Sequence, residues 1–448
     1  MSPALANRKL LGSRDVALQV VRDVFADHPR GAREALDYRL KAAELDARDR
    51  AFATELAYGA IKMRRYLDYQ LAPYLGDRAT TIPKPIAEIL RLGTYQLRVM
   101  SGVEAYAAVS ESVGLARKYG HKGTAGLVNA VLRKISSEPE RATDGDGDDA
   151  LAVRFSLPTW IVIHWRARFG SEALTQILAG VNAPAGIGLS IDLRRTKREI
   201  ALAALHDAGM LAAASPFVAD AIVLQSGTST SDLDKLSGGR WELHAEAACM
   251  PVDLLDPQPG QVVFEACSGR GNKTMQLASR IGATGRIEAV ELDERKVAKL
   301  KERLATAEID TVTLHVADAS VAAGRADCDR VLVDAPCSGL GIIGRQPEAR
   351  WRKSPEDGAR LAPLQAAILE ASAVRLTVGG TLVYAVCSTD AREGEEIVDA
   401  FLVAHPHFAR VPAPERYASF ATAVGDLRVI PGIAGRDGFY LARVTRTA

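Results

Sequence analysis

The chain has 448 residues, 48% of them hydrophobic, and its 56 Lys and Arg against 55 Asp and Glu leave a formal charge of +1. That length calls for two or three domains of globular composition, and no apolar run approaches the roughly 18 residues of a membrane span. No signal-peptide stretch opens the chain, so a cytoplasmic protein is expected; five cysteines without CxxC spacing argue against a disulfide framework and against a metal site.

Residues 5 to about 137 read as helices. Apolar residues recur at helical spacing through Val16, Leu18, Val20, Val21 and Val24, again through Phe52, Leu56 and Ile61, and through Ile86, Ile89, Leu90 and Leu97. Residues 1–140 carry 22 Lys and Arg against 16 Asp and Glu, a surface compatible with RNA. Turn formers and acids at 142–150 mark a linker, placed at 141–150. Residues 151–240 read as a small α+β insert, with strands at 188–193 and 221–224 and a helix at 197–208. From 241 to the end, strands alternate with helices: strands at 262–265, 286–291, 311–316, 330–334 and 380–386, helices at 273–281, 294–305 and 359–375. Such alternation means a doubly wound parallel sheet, a Rossmann-like α/β domain.

Two cysteines stand just past strand ends: Cys337 in Asp334-Ala-Pro-Cys-Ser-Gly and Cys387 in Val386-Cys-Ser. In open α/β sheets, ligands bind beyond the carboxyl ends of the strands. Two thiols there point to covalent catalysis on an electrophilic ring. For Cys249 and Cys328 a buried, inert thiol is the expectation. The turn Glu265-Ala-Cys267-Ser268-Gly269-Arg270-Gly271-Asn272-Lys273-Thr274 joins the first strand of this region to a helix, where glycines and free N–H groups admit a ligand. It is no P-loop, because Asn272 precedes Lys273-Thr274, and no GxGxxG dinucleotide turn. Glu291 and Asp318 end the next two strands. Two acids at successive strand ends suit an adenosine without phosphates, and S-adenosylmethionine fits that better than NAD or ATP.

With these residues assembled, the chain resembles the RsmB/Nop2/Sun family of RNA cytosine-C5 methyltransferases. Asp334-Ala-Pro-Cys-Ser-Gly is similar to its motif IV and Cys387-Ser388 to its motif VI. Arg48-Asp-Arg-Ala51, Glu55-Leu-Ala-Tyr-Gly59, Leu90-Arg-Leu-Gly-Thr-Tyr-Gln-Leu97 and Gly126-Leu-Val-Asn-Ala-Val-Leu-Arg133 resemble the NusB-like RNA-binding domain of the family's bacterial branch. The likeness reaches Arg436-Asp-Gly-Phe-Tyr440. It departs in the first motif, where Glu265 replaces Asp, Ser268-Gly269-Arg270 replaces Ala-Ala-Pro and Asn272 replaces Gly. Glu291 replaces a ribose-binding Asp, with Asp293 a rival. His244-Ala245 stands for Gln-Asp, and Gly394 for Asn.

The resemblance implies S-adenosylmethionine as cofactor, small-subunit (16S) rRNA as partner and 5-methylcytosine as product. It implies that Cys387 is the nucleophile, that Cys337 assists product release and that Asp334 bonds the cytosine N3/N4 edge. Cys267, Ser268, Gly269, Arg270, Gly271, Asn272, Lys273, Glu291, Asp318 and Asp334 would hold the cofactor. Arg345, Arg350, Trp351 and Arg352 suit stacking on an extruded base and phosphate contact. The alternative is a non-catalytic, NusB-like RNA-binding or ribosome-assembly protein with a degenerate methyltransferase domain. A DNA cytosine methyltransferase would need only the motif IV thiol.

Overall fold

The computed structural model describes residues 12–225, 228, 230–321 and 327–448; the expected helical start at 5–11 lies outside them. The chain divides into two compact units, one of residues up to 174 together with 346–352, the other of 175–345 and 353–448.

The first unit is helical: α1 (Ser13–Val24), α2 (Ala32–Lys41), α3 (Ala47–Lys62), α4 (Arg64–Leu75), α5 (Lys84–Arg98), α6 (Ala105–Tyr119), α7 (Lys122–Ser137), α8 (Asp148–Arg154) and the start of α9 (Thr159–Gly180). Its core is the apolar faces read from the sequence, among them Val16, Leu56, Ile61, Ile89, Leu90, Val128 and Leu132. The residues that carry the family likeness have packing reasons. A Cβ on Gly59 of α3 would lie 1.9 Å from Tyr95 Cζ. Gly there admits the ring, and Tyr95 donates its hydroxyl proton to Glu55 at 2.7 Å. Gly93 likewise leaves room for Leu132, whose Cδ1 would lie 2.5 Å from a Cβ. The stretch expected as a linker lies in this unit: Arg141 exchanges two 2.9 Å bonds with the Gln70 carboxamide, and Arg154 donates to the carbonyls of Thr143 and Gly145. The last part of α9 belongs to the second unit; the helix breaks at Gly170, whose φ of 79° only glycine adopts freely.

The second unit begins with an antiparallel sheet. Its strands are β1 (Ile187–Ile191), β2 (Ala212–Ala214), β3 (Ala221–Leu224) and β4 (Trp241–Leu243), in the order β2-β3-β1-β4, with helices α10 (Arg198–Asp207) and α11 (Thr230–Ser237). Helix α12 (Glu246–Leu255) leads into the larger sheet, made by β5 (Val262–Ala266), β6 (Arg286–Glu291), β7 (Val312–Val316), β8 (Cys328–Asp334), β9 (Leu376–Val386), β10 (Phe408–Arg410), β11 (Leu427–Val429) and β12 (Phe439–Arg446). Helices α13 (Asn272–Ile281), α14 (Glu294–Thr306), α16 (Asp357–Ala373) and α17 (Glu395–Ala404) intervene, while the short α15 (Ala349–Arg352) belongs to the first unit.

The order is β10-β12-β9-β8-β5-β6-β7, with β5 to β9 parallel. The expected doubly wound sheet is present and extended: β12 runs antiparallel beside β9, and β10 and β11 pair with it. Both faces are covered, so the strands read as continuous apolar runs whose side chains alternate between two cores. Val263, Leu332 and Val383 point into one; Phe264, Val331 and Leu382 point into the other. Among the described residues no helix is long and apolar enough to cross a membrane.

Candidate active site

The carboxyl edge of the parallel strands gathers the residues singled out above. Asp334 ends β8 and pairs in register with Ala385 of β9, so Cys337 and Cys387 leave adjacent strands side by side. Their Sγ atoms stand 3.3 Å apart, both partly exposed. The backbone fixes this approach. Ala335 N–H donates to Ala385 O at 3.0 Å, and Gly341 N–H donates to Cys387 O at 3.0 Å. A Cβ on Gly341 would lie 2.1 Å from the Gly438 carbonyl, so glycine is required where Arg436-Asp-Gly-Phe-Tyr440 crosses this loop. Contact with the Cys387 sulfur, then burial, push the Cys337 thiol well up. Cys337 is therefore a thiol at neutral pH, able to donate toward Cys387.

Lys273, expected near the cofactor, reaches from the start of α13 to Asp334, with Nζ 2.6 Å from Oδ2. Burial lowers its ammonium, but Asp334, then Cys387 and Glu265, outweigh that and raise it overall. A firmly protonated lysine thus sits against the Asp334 carboxylate, within electrostatic reach of Cys387.

The turn after β5 is held from both sides. Cys267 takes a left-handed φ of 61° without being glycine, while Gly269 and Gly271 take φ of 60° and 82°. A left-handed non-glycine residue costs roughly 1–2 kcal/mol and marks a constrained turn. Ser268 N–H donates to Val290 O at 2.9 Å, and its own hydroxyl is buried with no partner among the described residues. Glu291 is already engaged. One carboxylate oxygen accepts from Gly269 N–H at 2.9 Å, the other from Asp293 N–H at 3.0 Å and Lys296 at 3.2 Å. Asp318 is exposed, and its bonds from the Ser320 hydroxyl and N–H hold it below the usual carboxylate range. Arg270 and Asn272 are exposed; the Arg270 carbonyl and the Asn272 side chain both accept from Arg303. Glu265 is buried beneath, accepting from the Thr274 hydroxyl at 2.6 Å.

Cys249 and Cys328 are buried in the core, and burial pushes the Cys328 thiol up to about 12. Burial does the same to Cys267, also to about 12, so its thiol is not a nucleophile at neutral pH. Gly394, standing for the family's Asn, meets Tyr440, where a Cβ would lie 2.9 Å from the ring. Among the described residues no group of three or more His, Cys, Asp or Glu is placed to hold a metal ion.

The loop after motif IV differs from expectation. Arg350, Trp351 and Arg352 do not present themselves for stacking on a base; they cap helices of the first unit. Arg350 is fully buried and donates to Lys62 O and Ser156 O. Trp351 Nε1–H donates to Ile61 O at 2.6 Å, and Arg352 donates to Val24 O and Arg30 O. Glu348 accepts from Ala32 N–H at the start of α2. The ends of α1, α2 and α3 leave backbone groups without intrahelical partners, and this loop supplies them. Arg345 is engaged too, by Asp437 at 2.5 Å and Gly186 O at 2.7 Å. Conversely, Ser338, Ser388 and Glu393 form a buried network under the thiols that the sequence reading passed over. The one signal for it is that a serine follows each cysteine.

Three family models match the chain: 16S rRNA methyltransferase RsmB/F over residues 252–445, the NusB family over 12–137, and the RsmF/B-like ferredoxin-like domain over 157–231. The chain is 31% identical to the probable ribosomal RNA small subunit methyltransferase B of Bacillus subtilis, covering 91% of this chain and 93% of that protein. It is 34% identical to the ribosomal RNA small subunit methyltransferase B of Thermus thermophilus, covering 97% of both. Among solved structures, PH0851 matches with a TM-score of 0.82 at 22% identity, over 96% of this chain and 98% of that one. A methyltransferase homolog from Pyrococcus horikoshii matches with a TM-score of 0.57 at 19% identity, over 68% of this chain and 100% of that one.

Proposed function

We propose that this chain, which belongs to the 16S rRNA methyltransferase RsmB/F family, methylates C5 of a cytosine in 16S rRNA through a covalent bond from Cys387 to C6. The observation that carries this reading is the pair of thiols at adjacent strand ends, 3.3 Å apart beside a Lys–Asp pair. A non-catalytic RNA-binding protein has no use for that constellation.

Cytosine C5 is a poor nucleophile. Addition of the Cys387 thiolate to C6 forms an S–C6 bond and makes C5 an enamine carbon. The N3/N4 edge gains electron density in that step. The Lys273 ammonium supplies the positive charge and the proton that N3 takes up, and regains that proton when the S–C6 bond breaks, while the Asp334 carboxylate accepts from the N4 amino group. Once C5 carries its methyl group, the C5 proton must leave and the S–C6 bond must break. Cys337 serves both ends of that elimination: its S–H gives a proton to the departing Cys387 sulfur, and its sulfur takes the C5 proton. Both thiols are restored, and the net proton leaves from Cys387 before the next turnover.

S-adenosylmethionine, when bound, supplies the electrophilic methyl group. The Ser268 hydroxyl, without a partner among the described residues, the positive-φ glycines and the α13 N-terminus fit such a group. Ser268, Gly269 and Gly271 would hold its amino-acid portion. Glu291 and Asp318 would face its ribose, and Arg270 and Asn272 would contribute backbone only. The helical unit, with 22 Lys and Arg against 16 Asp and Glu over residues 1–140, would engage the rRNA.

The test is transfer of labelled methyl from S-adenosylmethionine to small-subunit rRNA from cells lacking this gene, with 5-methylcytosine mapped by bisulfite sequencing. One new 5-methylcytosine is expected. Cys337→Ala should accumulate a denaturation-resistant protein–RNA adduct, and Cys387→Ala should form none; the reverse pattern would swap the two roles. No incorporation and no cofactor binding would leave an RNA-binding role.

A further inference from the structure

Both cysteines are followed by serine, and both serines turn inward to one carboxylate. Glu393, in the turn after motif VI, is fully buried. One of its oxygens accepts from Ser338 N–H at 2.7 Å and from the Gln365 carboxamide at 3.0 Å. The other accepts from both serine hydroxyls, Ser338 and Ser388, which themselves lie 3.0 Å apart. Ser388 Oγ in turn accepts from Asp390 N–H at 3.1 Å, and Gln365 also donates to Pro336 O at 2.9 Å. The Glu393 carbonyl is pinned by the Tyr384 hydroxyl of β9 at 2.7 Å. Five donors from β9, α16 and both cysteine loops thus converge on one residue that touches neither thiol through a hydrogen bond.

Resting on the covalent reading above, we propose that Glu393 is the positioning residue that sets the spacing of Cys337 and Cys387. Each serine is bonded to the next backbone unit from its cysteine. Drawing both serines onto one carboxylate draws the two Sγ atoms to contact distance. A proton relay between two thiols needs that contact, and a displacement of about 1 Å at a reacting centre can cost about a hundredfold in rate. The network is also all-or-none: a buried carboxylate short of donors is costly, so the loops are held together or the site opens.

Glu393→Gln keeps the shape, but its nitrogen cannot accept, so one of the two sides of the clamp is lost. The full-length variant is compared with wild type in two assays. The first needs no RNA: titration with phenylarsine oxide, which closes a ring across two neighbouring thiols with loss of water. Cys387→Ala serves as the control for binding at this pair. The second is steady-state methyl transfer. For Glu393→Gln the expectation is roughly tenfold or more weaker arsenical binding and a kcat lower by roughly tenfold to a hundredfold, with KM for S-adenosylmethionine within about twofold. Ser388→Ala should move both readouts in the same direction, and decides alone if Glu393→Gln does not fold. Wild-type values in both assays, or a change in only one of them, overturn the proposal. If wild type itself transfers no methyl to rRNA, the covalent reading fails, while the arsenical comparison still decides whether Glu393 spaces the thiols.

Discussion

Replacing Glu265 with Gln is expected to stabilise the protein increasingly as pH rises from 5 to 8. Glu265 is the penultimate residue of β5, beneath the glycine turn, and is 1% exposed. Burial pushes its carboxyl up to about 7, against the Thr274 hydroxyl bond and the Lys273 charge, which hold it down. In the unfolded chain a glutamate ionises near 4.3. Between those two values the folded state binds more protons than the unfolded one, so stability falls as pH climbs through the window, and the loss is complete above about 7. The gap of about 2.7 pH units, at about 1.36 kcal/mol each, sets a ceiling of about 4 kcal/mol. Relaxation around the charge lowers what is seen, and about 1–2 kcal/mol is expected at pH 8. Gln keeps the acceptor for Thr274 and carries no charge, so the variant escapes the loss. Scanning calorimetry of both full-length proteins at pH 5, 6.5 and 8 measures the difference in Tm. It should be small at pH 5 and grow in the variant's favour to pH 8. A pH-independent difference, or one that grows toward acid, refutes the burial argument.

His244 offers the opposite sign. Burial, then the charges of Lys273, Arg303 and Arg345, push its imidazole down to about 3. The unfolded chain takes up that proton near pH 6.5, so stability is lost as pH falls from there toward 3; His244→Gln should melt higher than wild type at pH 5 and equally at pH 7.5. Lys273→Met removes the cation 2.6 Å from Asp334, and single-turnover methyl transfer should slow by roughly 10²–10³, the range for losing one preorganised electrostatic group; a change below threefold contradicts the role. Gly271→Ala places a methyl 2.1 Å from Leu300 Cδ1 at a φ of 82°, and calorimetric titration should show weakened S-adenosylmethionine binding together with a loss of about 1–3 kcal/mol of stability. Trp351→Phe removes the donor to Ile61 O; about 1 kcal/mol of stability should go, with RNA affinity in a filter assay within about twofold, whereas a base-stacking role would reverse that pattern.

The parts of this fold legible in the sequence are those where one local signal suffices. β5, β6 and β8 are apolar runs ended by turn residues, and their ends carry the acids and Cys337 at the sheet's carboxyl edge. β2 and β4 are three residues each, too short for periodicity to show. β12 alternates weakly because most of it is buried between neighbours, and nothing local says that it enters antiparallel beside β9. Pro251 disguises α12, although the flanking residues are helical. The loop 345–352 misled in a more instructive way. Arginine and tryptophan are what an RNA-facing loop would carry, but they are equally what helix-end carbonyls require, and composition does not separate the two uses.

The site shows the same division between residue type and closure. The two thiols could be found because motif IV and motif VI each stand behind a strand. Their separation could not, since it depends on Ser338, Ser388 and Glu393 meeting across 55 residues of chain. The Cys-Ser doublet is then one device used twice: the sulfur is partly exposed beside the other thiol, and the neighbouring hydroxyl is anchored on Glu393. The altered first motif lies apart from this clamp. Glu265, Ser268 and Asn272 lie on the β5 side of the edge, whereas the clamp draws its donors from β9, α16 and the two cysteine loops. Among the described residues, Lys273 is the first-motif residue that reaches across, to Asp334. The first-motif turn and the two cysteines are therefore held by separate sets of contacts, joined through the Lys273–Asp334 pair.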